Sequence, residues 1–281
     1  MLPIVLSHFQ TQRFPRNREA AERISLSPDL GLTTITATLG PEGLLLPNGE
    51  HLDWDAIDEI NGSPNGCFAI KDGRPEKIQV FSATTNRVCS LMPTAGAPTM
   101  LVAGFTMHRI KGRDPYEDGL AKVEAIAPLR GVALDTCTGL GYTAIEAART
   151  AAQVHTIEID PGAQEIARQN PWSQALFGNA ALTRHLGDSD ELVETFPAGI
   201  FDRIIHDPPV VSLAGHLYGT EFYRKLHRVL GAKGRLFHYI GNPESRSTMN
   251  FTRGVSDRLR AAGFSRVRPC PEAFGVVAER N

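Results

Sequence analysis

Cysteine is scarce in this chain. Four residues, Cys67, Cys89, Cys137 and Cys270, are scattered so that no two form a Cys-x-x-Cys pair. A disulfide framework and a zinc site built from paired thiolates are therefore not expected, and no metal ligand set is assigned. Long apolar runs are also missing: none approaches the ~18 residues of a membrane span. The opening Met1-Leu2-Pro3-Ile4-Val5-Leu6 turns polar too soon for a secretory signal. Neither charge sign dominates, with 29 Lys and Arg against 31 Asp and Glu and a net charge of -2. A broad phosphate-binding surface is not indicated, so a nucleic-acid partner would need a local basic patch. These absences lead us to expect a reduced, cytoplasmic protein with no membrane partner.

What is present is an ordinary globular composition, 42% hydrophobic and 21% charged over 281 residues. The length suits one large domain or two of ordinary size. We divide the chain at 114/115. Residues 1–114 hold a polar arm, a β-rich unit and a bridge; residues 115–281 hold an α/β domain.

The arm, to about residue 25, carries Arg13, Arg16 and Arg18 and reads as a solvated terminus in preference to a helix docked on the body. Thr33 to Leu39 reads as a strand, and Gly40-Pro41-Glu42-Gly43 as a turn before Leu44-Leu45-Leu46. Acidic residues at Asp53 and Asp55 open a short helix. Cys67 to Ile70 and Ile78 to Phe81 read as a hairpin around Asp72-Gly73. The bridge, 91–118, ends in a basic cluster of His108, Arg109, Lys111 and Arg113. Such a cluster is either a solvated charge run or a carboxylate-binding patch. His108 and Arg109 are therefore substrate candidates.

Helices and strands alternate from Tyr116 onward. Strand Val132 to Asp135 runs into Thr136-Cys137-Thr138-Gly139-Leu140-Gly141, and a helix over 143–152 follows. Further strands are expected near 154–159, 181–185, 202–206, 235–240, 265–270 and 274–279. Alternation with short loops means a mainly parallel sheet. Only Pro271-Glu272-Ala273 separates the last two strands, a link too short for anything but antiparallel neighbours.

The loop Gly139-Leu140-Gly141-Tyr142-Thr143-Ala144 formally matches the dinucleotide pattern GxGxxA. Two features argue against a dinucleotide. A four-residue extension separates the strand from the first Gly, and it begins with a carboxylate, Asp135. A fixed negative charge would repel a pyrophosphate. S-adenosylmethionine (SAM) has no phosphate and carries a sulfonium and an ammonium, both attracted to a carboxylate. Glu158, at the end of the second strand, can accept the ribose hydroxyls. Asp188, after the third, can accept the adenine amino group. Carboxylates at successive strand ends line the crevice where such sheets bind ligands. The cofactor-binding candidates are Asp135, Thr136, Thr138, Gly139, Gly141, Glu158 and Asp188.

The run Asp135 to Gly141, with Thr156 to Pro161, Gly187-Asp188 and Asp207-Pro208-Pro209, resembles the ordered motifs of class I SAM-dependent methyltransferases. More closely, the whole chain resembles a group of archaeal-type methyltransferases described as spermidine-synthase-like. The shared runs are Met107 to Lys111 and Phe237 to Gly241. The resemblance implies a Rossmann-like seven-stranded sheet with its last strand antiparallel, plus a small β-rich N-terminal unit. Cys137 departs from the class, which often has a Gly there; a small filler beside the cofactor is its expected role.

His206-Asp207-Pro208-Pro209-Val210 resembles the (Asn/Asp)-Pro-Pro-aromatic motif of methyltransferases acting on planar nitrogens. A side-chain oxygen and a backbone carbonyl accept the nitrogen's N–H bonds and prepare its lone pair. We assign Asp207 and the Pro208 carbonyl to the reaction centre, with His206 as a base, a pocket residue or, given its apolar neighbours, a packed histidine. Val210 stands where that motif has an aromatic, which removes the stacking surface for a planar base and leaves Asp207, alternatively, to bind an amine. Tyr218 and His238 are further substrate candidates, and Tyr223 is expected to pack in the core.

The reading is a SAM-dependent methyltransferase acting on nitrogen of a small-molecule or protein acceptor. One alternative is an aminopropyltransferase using decarboxylated SAM, although the Gly-Gly-Asp-Gly pattern of that family is missing. Another is a non-catalytic module of the same fold that binds RNA or a protein.

Overall fold

The computed structural model describes residues 4–15, 19–241 and 246–281. Close contacts divide the chain into two compact units, one of residues 1–115 and 162–174, the other of residues 116–161 and 175–281.

The second unit is built on seven strands: β1 (Val132–Asp135), β2 (Gln153–Glu158), β3 (Leu182–Leu186), β4 (Phe201–His206), β5 (Leu230–Tyr239), β6 (Ser265–Cys270) and β7 (Gly275–Glu279). Their order is β3-β2-β1-β4-β5-β7-β6. Strands β1 to β5 are parallel, and β7 is antiparallel to both β5 and β6. The expected hairpin at the chain's end is thus present, and the architecture is the seven-stranded one read from sequence.

Apolar runs explain why these strands sit at the centre. Leu134, Ile157, Ile204, Ile205, Leu236 and Phe237 are fully buried, as strands covered on both faces require. Helix Thr220–Val229 presents Phe222, Tyr223, Leu226 and Val229 to the core, and helix Arg246–Ala261 adds Val255 and Leu259. Each such side chain contributes about 1.5–3 kcal/mol on burial. Strand order reverses between β1 and β4, which leaves a crevice at the carboxyl ends of the strands. Register sets Asp135 opposite Thr156 and Ile205, and His206 opposite His238.

The first unit carries three small antiparallel sheets around Leu6, Leu39, Leu44, Leu52, Ile57 and Phe68. Two expectations need correction. The polar arm is not a loose terminus: Val5–Leu6 pairs with Phe68–Lys71, a capping box of Ser7 and Gln10 starts helix His8–Thr11, and Glu22–Leu26 pairs with Ile35–Gly40. Arg16 and Arg18 lie outside the described residues. The hairpin at Asp72-Gly73 closes on Arg74–Lys77 rather than on the apolar run beyond it. Both turn residues have positive φ, 51° and 74°, the geometry of a two-residue hairpin loop. Gln79–Ser82 pairs instead with Arg87–Met92.

Other elements differ only in extent. The helix after the glycine loop spans Tyr142–Ala147 and ends early, because Ala152 and Gln153 both donate to the Gly131 carbonyl and turn the chain into β2. No helix among the described residues is long and apolar enough to cross a membrane.

Candidate functional site

The loop after β1 is shaped by two glycines in the left-handed region, Gly139 at φ 51° and Gly141 at φ 79°. A Cβ at Gly141 would lie 2.8 Å from Leu176 Cδ2, so a side chain is barred by space as well as by backbone angle. The Gly139 N–H donates to Glu158 Oε2 at 2.8 Å, and the Asp160 N–H donates to Glu158 Oε1 at 3.0 Å. Both oxygens of Glu158 are thereby oriented by backbone.

Asp135 is fully buried. Its Oδ2 accepts from the Thr156 hydroxyl at 2.7 Å, and Thr156 shares a second hydroxyl contact with Thr138 at 2.6 Å. Its Oδ1 is buried with no hydrogen-bond partner among the described residues. Burial pushes this carboxyl up to about 7; the Thr156 and Thr143 hydroxyls oppose the shift, and the Asp207 and Glu158 carboxylates add to it. Burial likewise pushes Glu158 up to about 7, against the N–H groups of Asp160 and Gly139. The crevice therefore holds two carboxyls poised near neutrality, one with a buried oxygen lacking a donor. A cationic ligand would satisfy that oxygen and favour the charged form of Asp135, so the donor set fits SAM or its decarboxylated form. Among the described residues, no group of three or more His, Cys, Asp or Glu is arranged to hold a metal ion.

Asp188 caps helix Ser189–Thr195 through the Asp190 N–H at 2.8 Å, and His216 Nε2 stands 3.3 Å from each of its carboxylate oxygens. Thr136 turns its hydroxyl inward, 2.7 Å from His206 Nδ1, while its carbonyl accepts from Ser189. Thr136 thus braces the loop from behind, and its hydroxyl faces the interior. Burial pushes the Cys137 thiol well above its ordinary value, which disfavours the thiolate.

At the end of β4, Asp207 Oδ2 accepts from Lys122 Nζ at 2.6 Å. Lys122 is almost wholly buried on helix Pro115–Glu124, and its Nζ also lies 2.8 Å from Asp118 Oδ2. His206 does not reach the crevice as a base. Its Nε2 donates to the Leu217 carbonyl at 3.0 Å, its Nδ1 takes the Thr136 contact, and burial drives it down to about 3. Tyr218 donates to the Pro209 carbonyl at 2.9 Å and approaches the Pro208 carbonyl at 3.4 Å, so its hydroxyl holds the loop itself. His238 is fully buried, its Nε2 2.8 Å from the Tyr223 hydroxyl and its ring centroid 4.3 Å from that of His206 at a tilt of 46°. Tyr223 packs in the core as expected.

The structure thus gathers Asp135, Glu158, Gly139, Gly141 and Asp207 at the carboxyl ends of β1, β2 and β4, and it turns His206, Tyr218 and His238 to internal contacts. His108 sits in the first unit, 2.9 Å from Thr99 Oγ1, with Arg109 half-buried beside it. Sequence reading missed Lys122, Asp118, Thr156, Ser189 and His216. The i,i+4 spacing of Asp118 and Lys122 on an expected helix was a usable signal for that pair. Thr156 becomes visible once β1 and β2 are set parallel and in register.

The order of strands, with its antiparallel β7, and the small antiparallel sheets of the first unit give the fold of spermidine synthase. Spermidine synthase in complex with the transition-state analogue AdoDATO aligns over 76% of each chain, with 18% identity and a TM-score of 0.59. No family model matches the chain. It is 44% identical over 234 residues to uncharacterized protein MJ1233 of Methanocaldococcus jannaschii, covering 83% of this chain and 79% of that one. The chain belongs to the family of that protein. It is also 34% identical over 121 residues to polyamine aminopropyltransferase 2 of Streptomyces coelicolor, a match covering 41% of this chain and 22% of that one.

Proposed function

We propose that the protein is a SAM-dependent methyltransferase acting on a nitrogen acceptor. The observation that carries this reading is the fully buried Asp135 carboxyl at the end of β1, whose Oδ1 makes no well-formed hydrogen bond. Leaving such an oxygen unsatisfied is costly, and the cost is recovered when a cationic group takes its place opposite it.

In this reading Asp135 holds the positive end of the cofactor. Glu158, already oriented by two N–H groups, accepts the ribose hydroxyls. Asp188 accepts the adenine amino group, with His216 as its competitor. Gly139 and Gly141 let the backbone approach closely. When bound, SAM supplies a methyl on positively charged sulfur, which departs as a neutral thioether. Asp207 and the Pro208 carbonyl accept the N–H bonds of the acceptor nitrogen, orient its lone pair and stabilise the positive charge that grows there. The proton shed by nitrogen passes to water through Asp207. The remaining contribution is orientation, worth roughly 7–11 kcal/mol when complete.

A second reading, aminopropyl transfer from decarboxylated SAM, is supported by the partial likeness to the Streptomyces aminopropyltransferase. Calorimetry separates the two. We expect SAM to bind more tightly than decarboxylated SAM; the reverse preference overturns methyl transfer.

A further inference from the structure

Lys122 is the one feature at the reaction centre that the roles above leave unexplained. A lysine is seldom buried this completely, and its side chain is 1% exposed. Its ammonium lies 2.6 Å from Asp207 Oδ2 and 2.8 Å from Asp118 Oδ2, and 4.5 Å from the centroid of the Tyr239 ring. Two carboxylates and an aromatic face are a recognition set for a primary ammonium. Asp207 remains 15% exposed, so the set meets the crevice through that residue. Burial works against the charge on Lys122, but Asp207 and Asp118 outweigh it and hold the amine protonated.

We propose that Lys122 sets the acceptor class: it fills the ammonium seat formed by Asp207, Asp118 and the Tyr239 ring, so the reaction centre takes an uncharged nitrogen and refuses polyamines. The proposal rests on Asp207 being the acceptor site in the reading above. A cationic amine entering the crevice meets the seat already taken by the Lys122 ammonium. A neutral nitrogen has no such conflict. It needs only an acceptor for its N–H bonds, which a carboxylate half-neutralised by lysine still supplies.

The test uses the full chain. In Lys122→Ala the atoms removed are those of n-propylammonium, so that cation should refill the seat. We expect the variant to melt roughly 10 °C below wild type, since a buried pair has lost one partner. Propylammonium should raise its melting temperature saturably, neutral n-propanol should not, and wild type should respond to neither. If Lys122→Ala is recovered only unfolded, refolding yield with propylammonium against propanol gives the same reading. Wild type should show no saturable heat with millimolar putrescine or spermidine. Equal effects of propylammonium and propanol overturn the proposal. So does polyamine binding to wild type that Asp207→Asn abolishes. Failure of SAM to bind wild type overturns methyl transfer but leaves the propylammonium result standing, so the two failures are distinguishable.

Discussion

The Gly139 N–H donates to Glu158 Oε2 at 2.8 Å, and this bond ties the loop after β1 to the end of β2. The glycine loop and the Glu158 carboxylate are therefore one device. Glu158→Gln keeps one oxygen for two backbone N–H groups and turns an NH2 toward the other. We expect SAM affinity to fall roughly 10- to 100-fold, from a lost charged hydrogen bond and a loosened loop. Calorimetry on the variant checks this, with circular dichroism to verify the fold.

Asp135 gives an opposed effect on stability and on binding. Its folded value of about 7 lies above the ordinary carboxylate range near ~4. The folded chain therefore holds an extra proton between those limits. The stability tied to that proton is complete at low pH and declines as pH rises through about 7. Asp135→Asn should melt a few degrees above ligand-free wild type at pH 8 and close to it at pH 4, while losing SAM binding. A wild type more stable than the variant at pH 8 would show that the buried oxygen is not strained for want of a partner.

The same carboxyl makes cofactor binding depend on pH. Below about 7 Asp135 must release a proton before it can face a cation, and Glu158, also near 7, adds to the effect if its charged form is the one that accepts the ribose hydroxyls. We expect SAM affinity to rise by about tenfold per pH unit per proton on going up toward 7, and to level off above it. Titrations at pH 6.5 in buffers of different ionisation enthalpy should reveal proton release. Affinity that is flat from pH 5.5 to 8 contradicts the assignment.

Gly141 is held by backbone angle and by Leu176 together. Gly141→Ala should cost about 2 kcal/mol in urea unfolding, the sum of a left-handed penalty and local repacking. The same variant should bind SAM poorly, because the loop must shift to admit the methyl.

His206 and Asp207 are neighbours with separable roles. His206→Ala removes the links to Thr136 and Leu217 from a buried position and should cost about 3 kcal/mol of stability, with SAM affinity changed only a few-fold. Asp207→Asn should leave SAM affinity intact and lower turnover about 10²-fold or more once an acceptor is in hand. Unaltered turnover in Asp207→Asn places the reaction centre elsewhere.

Much of the architecture was legible in advance, because it rests on local signals. Val132–Asp135 was bounded correctly by an apolar run meeting a glycine loop. The short Pro271-Glu272-Ala273 link dictated an antiparallel pair. The N-terminal arm misled because its strands are short, and Val5–Leu6 is stabilised only by a partner far along the chain, Phe68–Lys71. The hairpin at Asp72-Gly73 was assigned to the more apolar run, whereas the tight turn allows pairing only with the residues next to it.

By itself the sequence determined the strand succession, the glycine loop and the carboxylates that follow β1, β2 and β3, since each is encoded within a few neighbouring residues. Only the tertiary structure decided what those groups are chemically. Burial near neutrality for Asp135 and Glu158, the inward turn of His206 and His238, and the seat that Lys122 takes beside Asp207 all depend on packing between distant segments. Lys122 and Asp207 are 85 residues apart. Desolvation and charge pairing at that range follow from the fold in three dimensions, and no local pattern carries them.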